Sequence, residues 1–223
     1  MIKTIIFDFG NVLYDLDIDG CIDRLATIAS LNREALIQQL TPVIERYEQG
    51  KVSDENLVWH VQQHNQTINP RLIVEAWNSM LVSIDASVLP MLERLQKVYN
   101  LYLLSNINGF HARHVDRYLR NTLNDPEFLT THFEKVYYSH ELRMRKPQPE
   151  IYDYVTKDIG KDNNQSLDHI LFIDDNKDNI AAANAYGWST ILHNPALRIA
   201  EQIDGYISAT ESASGSQQTH YRS

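Results

Sequence analysis

The chain is nearly free of cysteine: Cys21 is the only one in 223 residues. A single thiol excludes an internal disulfide and fits a reducing compartment. Cys21 lies in a helical pattern with no activating partner beside it, so it reads as a small buried residue rather than a nucleophile. A basic excess is also missing. Lys and Arg total 20 against 29 Asp and Glu, a formal net charge of -9. That balance argues against nucleic acid or an anionic membrane as a partner. No apolar run is long enough to span a bilayer, and the N-terminus lacks the pattern of a signal peptide. The expected location is therefore the cytoplasm. No internal repeat is visible. What is present is 43% hydrophobic and 22% charged residues, the make-up of a globular protein with room for a core domain plus an inserted one.

Two apolar runs end in acid. Ile2-Lys3-Thr4-Ile5-Ile6-Phe7 stops at Asp8, followed at once by Phe9-Gly10-Asn11. Ile170-Leu171-Phe172-Ile173 stops at Asp174-Asp175-Asn176. Both read as buried strands that break at a tight turn. Between them, residues 18–80 carry a helical period, with Leu36, Ile37, Leu40, Val43 and Ile44 on one face and Ser53 placed as a fresh N-cap. Leu57, Val61 and His64 continue the helix that Ser53 starts. This stretch shows no strand pattern and reads as an all-helical insert of roughly four helices. From Val88 onward strand and helix alternate, with strands expected at 101–106, 135–139, 170–174 and 190–192. Alternation of this kind predicts an α/β fold with a Rossmann-like parallel sheet. The expected division is a core of residues 1–15 and 85–207, a helical insert at 16–84, and a tail at 208–223. That tail is Ser-, Thr- and Gln-rich, lacks periodicity and is expected to be disordered.

In open α/β sheets ligands bind at the carboxyl edge. Asp8, Asp174 and Asp175 would converge there, and three carboxylates so close need a cation. Gly10 lets a backbone carbonyl turn inward toward such an ion. Ser105-Asn106 ends another apolar strand, where a hydroxyl and N–H groups suit a phosphate oxygen, although a plain helix cap explains the pair equally well. Lys146, held extended by Pro147 ahead of a helix starting at Pro149, is placed to neutralise converging negative groups.

The order strand-Asp, helical insert, strand-Ser, Lys-Pro, strand-Asp-Asp resembles the haloacid dehalogenase (HAD) superfamily to about residue 207. Asp8 to Leu13 is similar to its motif I, Ser105 to motif II, Lys146 to motif III, and Asp174-Asp175 to motif IV, with Ile180 continuing the spacing. The insert falls where the superfamily's C1 cap belongs. The resemblance implies a Mg²⁺-dependent phosphatase acting on a small phosphorylated metabolite, as a monomer or weak homodimer. Asp8 would be the nucleophile, with Ser105 and Lys146 as its catalytic partners. Asp8, the Gly10 carbonyl, Asp174 and Asp175 would hold the metal. Asn106, Tyr47, Glu48 and Trp77 are expected at the substrate. Most phosphatases of the superfamily carry a second Asp two residues after the nucleophile, and here that position is Gly10. Either the substrate has a good leaving group, or Asp15 or Asp17 stands in, or catalysis is weak. The Asp-x-Gly-Asn-Val pattern resembles a subgroup that includes an α-D-glucose-1-phosphate phosphatase. The rival readings are a 2-haloacid dehalogenase and a weakly catalytic phosphometabolite-binding protein.

Overall fold

The computed structural model describes residues 2–63, 65–163 and 169–218. The expected helical position of His64 therefore lies outside the described residues. The chain opens with β1 (Thr4–Phe7) and the short β2 (Asp15–Leu16). Four helices follow: α1 (Ile18–Ala29), α2 (Arg33–Glu48), α3 (Asp54–Gln62) and α4 (Pro70–Asn78). Next come β3 (Leu81–Ser83), α5 (Val88–Leu95), β4 (Asn100–Ser105), α6 (Gly109–Asn121) and α7 (Phe128–His132). Then β5 (Lys135–Tyr138), α8 (Ser139–Leu142) and α9 (Pro149–Asn163) lead to β6 (Ile170–Asp174). The chain closes with α10 (Lys177–Tyr186), β7 (Ser189–Leu192) and α11 (Ile199–Gln218).

Five strands form one parallel sheet in the order β5-β4-β1-β6-β7. The chain builds outward from β1 to β4 and β5, then returns to the other side of β1 with β6 and β7. The reversal puts a crevice at the carboxyl end of the central strand, the place where such sheets bind ligands. Both neighbours of β1 are in register there, with Phe7 opposite Leu103 on β4 and Ile173 on β6. The three strand ends that carry Asp8, Ser105 and Asp174 are thus adjacent.

Alternation along the strands sorts the core into two layers. Ile5, Phe7, Leu101, Leu103, Leu171 and Ile173 pack on one face against residues of α5, α6 and α11. Ile6, Tyr102, Leu104 and Phe172 pack on the other against α9 and α10. The insert has its own core around Leu25, Leu36, Leu40, Leu57 and Ile73. Each helix start in the insert is capped by a side chain: Asp17, Asn32, Ser53 and Asn69 accept from backbone N–H groups one turn on. Such caps are worth about 1 kcal/mol each. Gly187 ends α10 in the left-handed region, φ 110°, where a side chain would be strained.

Two expectations need correction. The insert is not free of strand: β2 and β3 pair antiparallel at its two ends, forming a neck between insert and core. Strands of two and three residues are too short to show alternation. The tail is also not wholly irregular, because α11 runs to Gln218. Its start is anchored by Ile199 and Ile203, both buried in the core, and helix propagation from an ordered turn needs only modest propensity. Residues 219–223 lie outside the described residues. Among the described residues no helix is long and apolar enough to cross a membrane.

The core reading has a direct test. Leu171 is fully buried in the middle of β6, so Leu171→Ala is expected to lower unfolding free energy by about 2–5 kcal/mol through lost contact and cavity formation. Urea denaturation of the two proteins measures it, with an unchanged circular dichroism spectrum before the transition.

Candidate active site

The centre of the site is a lysine with almost no access to water. Lys146 is 1% exposed. Its Nζ lies 2.8 Å from Asp8 Oδ1 and 2.6 Å from Asp174 Oδ2, and it also donates to the Leu104 carbonyl at 2.8 Å. Three acceptors therefore use all three ammonium protons. Burial pulls the Lys146 pKa down, yet the two carboxylates outweigh it and the net shift is upward. The backbone is fixed as well. Asn106 accepts from Lys146 N and donates to Lys146 O, both at 2.9 Å, and the peptide to Pro147 is cis. Asn106, expected to touch substrate, lines the cavity and spends its side-chain amide on the backbone of this lysine.

Burial raises the Asp8 carboxyl to about 7; Lys146 opposes that rise and Asp174 adds to it. Lys146 alone thus leaves Asp8 incompletely compensated. Asp8, Asp174 and Asp175 each offer an oxygen, all within 4.8 Å of one another. A compact set of hard oxygen donors suits Mg²⁺, so the residues present fit that ion.

The two motif IV acids differ. Both Asp174 oxygens are engaged: Oδ1 accepts from Asn176 N at 2.8 Å and Asn179 Nδ2 at 3.1 Å, and Oδ2 from Lys146 and from Asn179 at 2.9 Å. Asp175 accepts at Oδ2 from Asn11 Nδ2 at 3.0 Å. No hydrogen bond to its Oδ1 is formed among the described residues, which leaves that oxygen for a cation. Asn11 reaches Asp175 from a left-handed backbone, φ 54°, a conformation Asn tolerates. Asn11 and Asn179 were not recognised as site residues in the sequence. Their spacing from the acids is the one available signal.

A cavity of about 330 Å³ lies between this sheet edge and the insert. Gly10, Ser105 and Asn106 line it from the core; Glu48 and Trp77 line it from the insert. Glu48 sits against Arg145, Oε2 to Nη2 2.9 Å. Burial raises the Glu48 pKa, against the pull of Arg145. Trp77 stacks on His111 with ring centroids 5.0 Å apart and donates to Asn108 Oδ1 at 3.3 Å. Burial lowers the pKa of His111 to about 4. The neutral ring is consistent with Nε2–H facing the Trp77 carbonyl at 3.1 Å. Tyr47 is not a lining residue. Its hydroxyl donates to Asp54 and accepts from Phe110 N at 3.1 Å, so it ties the insert to α6.

Neither Asp15 nor Asp17 supplies the missing acid. Asp17 caps α1 through Gly20 N at 2.9 Å and pairs with Arg24 at 3.5 Å. Asp15 is on β2, opposite Ser83. Neither lines the cavity, whose one carboxylate is Glu48. Cys21 is fully buried, its thiol pushed up to about 11 by burial, as a packing residue should be.

Comparison with known proteins gives this architecture its family. Residues 2–187 match the haloacid dehalogenase-like hydrolases, and the chain belongs to that family of hydrolases, with Mg²⁺ as the cofactor that its acidic cluster fits. Among individual proteins, the chain is similar to a D-ribitol-5-phosphate phosphatase of Bacteroides thetaiotaomicron, at 29% identity over 85% of this chain and 91% of that one. It is also similar to an HAD-family enzyme of the same organism, crystallised with magnesium and inorganic phosphate. That match has 32% identity, covers 88% of this chain and 96% of the other, and has a TM-score of 0.76. A 2-haloacid dehalogenase from Pseudomonas syringae shares the fold, with 19% identity and a TM-score of 0.59 over 88% of each chain.

Removing the lysine strands two carboxylates. Lys146→Met is expected to cost about 3–5 kcal/mol at pH 7.5, the scale for breaking a buried charge pair. Without Nζ, the folded-state pKa of Asp8 rises further above its unfolded value, and Asp174 loses its charged partner. Stability of the variant therefore falls as pH rises through that interval and recovers on acidification. Denaturation curves in metal-free buffer at pH 5 and 7.5 should show the larger deficit at pH 7.5.

Proposed function

We propose that the protein is a Mg²⁺-dependent phosphomonoesterase that works through an aspartyl-phosphate on Asp8. The observation that carries this reading is Lys146 bridging Asp8 and Asp174 beside Asp175, at a sheet edge that opens into a cavity. Asp8 would attack phosphorus in line. The bond from phosphorus to the ester oxygen breaks, and the alcohol departs. Water then cleaves the aspartyl-phosphate and returns free Asp8 and inorganic phosphate. Ser105 would hold a phosphoryl oxygen. Lys146 offsets negative charge on the nucleophile and the transferred group. Asp8, the Gly10 carbonyl and Asp175 would hold the metal, with Asp174 orienting Lys146 rather than serving as an equal ligand. When bound, the ion supplies charge neutralisation and alignment of nucleophile and phosphate. The insert would shield the reaction from bulk water.

An acidic cluster suited to a metal supports ester hydrolysis over halide displacement at carbon, which needs no metal. Two substrates enter from resemblance. Glucose 1-phosphate comes from the Asp-x-Gly-Asn-Val pattern, and its anomeric leaving group relaxes the need for an acid at Gly10. D-ribitol 5-phosphate comes from the name of the relative in Bacteroides. A screen of phosphate esters with and without Mg²⁺ tests the activity.

Asp8→Asn is expected to abolish turnover while keeping the wild-type fold, because an amide cannot be the nucleophile; more than a few per cent of residual activity in a contamination-controlled preparation would rule the assignment out. Asp175→Ala should raise the Mg²⁺ concentration needed for half-maximal activity more than Asp174→Asn does. A metal titration giving the reverse order would exchange the roles of the two acids.

A further inference from the structure

The cavity is built for carbon rather than for hydroxyl groups. On the insert side its accessible walls are Ile22, Ile44 and Met80, each partly buried against the insert's own core. Its rim toward solvent includes Ile18 and Ile37, which are 43% and 41% exposed. The apolar lining therefore continues out to the mouth.

Most polar lining groups are spoken for. Thr41 Oγ1 donates to the Ile37 carbonyl at 2.8 Å within its own helix. Asn106 is spent on the Lys146 backbone. Asn108 accepts from Trp77 and from His111 N, and the His111 ring faces Asn108 and the Trp77 carbonyl. Glu48 is held by Arg145 through Oε2 alone, so its Oε1 is the one carboxylate oxygen of the lining left to accept, and Ser105 belongs to the phosphate. A sugar or polyol bound here would bury several hydroxyls against that single acceptor, at about 1–3 kcal/mol for each one left unsatisfied. An alkyl chain would instead gain from every methylene buried.

Resting on the phosphatase reading above, we infer that the site takes the monophosphate of an apolar alcohol, with the hydrocarbon portion seated among the isoleucines and Met80 of the insert. Sugar and polyol phosphates are poor substrates for it. A volume of about 330 Å³ is at the small end for ligand sites, so a short chain or a single ring fits and a long lipid does not.

Hexyl phosphate and ribitol 5-phosphate separate the two chemistries. Both are esters of primary alcohols, so the bond-breaking step is closely matched and binding of the alcohol decides. With Mg²⁺ and the full chain, kcat/KM for hexyl phosphate should exceed that for ribitol 5-phosphate by about 100-fold, a ratio that two unpaired hydroxyls already account for. Equal or better hydrolysis of ribitol 5-phosphate overturns the inference and leaves the phosphatase reading intact. A binding measurement makes the reverse separation. By calorimetry, hexylphosphonate should bind more tightly than methylphosphonate by at least about 100-fold, since each buried methylene is worth roughly 0.8 kcal/mol. Tight hexylphosphonate binding without hydrolysis of any ester would sink the phosphatase and keep the apolar chamber. Equal binding of the two phosphonates sinks the chamber. Ile37→Ser, at a half-exposed position that the fold tolerates, should narrow the difference between the two phosphonates; an unchanged difference counts against the proposed path.

Discussion

Everything at the site depends on one buried ammonium group shared between two strand ends. Lys146 Nζ meets Asp8 from β1 and Asp174 from β6, and the main chain of β4 supplies its third acceptor. The lysine therefore reads the register of the sheet: shift β6 by one residue and Asp174 turns to the opposite face. Charges so deeply buried are unfavourable unless each has its partners. Here the partners come from three parallel strands, the loop after α8 and the start of α10. Folding the core and assembling the site are the same event.

The insert meets this centre through a few polar ties. Arg145, the residue before the lysine, holds Glu48 at the end of α2. Asp54 on α3 binds Arg113 on α6, and Tyr47 accepts from Phe110 N. Trp77 and His111 stack across the same seam. Each tie joins insert to core beside the cavity, while the neck of β2 and β3 holds the insert's two ends together. The insert is thus a separately packed unit pressed onto the carboxyl edge of the sheet, where the edge of its apolar core becomes a wall of the chamber.

The strands and the acids at their ends were legible in the sequence because burial on both faces of a parallel sheet produces continuous apolar runs, and Asp8 and Asp174 stop those runs abruptly. The helical insert was legible from its period, and one of its four caps, Ser53, from residue type. Less legible were contacts between residues far apart in the chain. Asn11 and Asp175 are 164 positions apart, and only the fold pairs them. Asn106 looks like a ligand-binding residue beside Ser105, yet what sits opposite its amide is the Lys146 backbone. Tyr47 and Trp77 have the composition of sugar-binding residues. One faces a neighbouring aspartate; the other stacks on a histidine and lines the cavity among mostly aliphatic side chains.

Burial serves the charged end of the site as well. Coulomb interactions strengthen as water is removed, so the buried Lys146 would pull on a phosphoryl group more strongly than it could in solution. The same burial raises the Asp8 pKa to about 7, and so raises the proton occupancy of the proposed nucleophile. A cation at the three carboxylates would reverse that penalty, because it favours the ionised form of every ligand it touches. Burial and acidic cluster are therefore linked requirements. Without a metal, burial disfavours the charge on Asp8; with one, it keeps competing water away from that charge. The position vacated at Gly10 fits the same balance. Its side-chain space is already contested, since a Cβ there would come within 2.7 Å of Leu16 Cδ1. Beside the proposed nucleophile the methyl end of Leu16, a side chain able to shift, stands where the Cβ of a second acid would come.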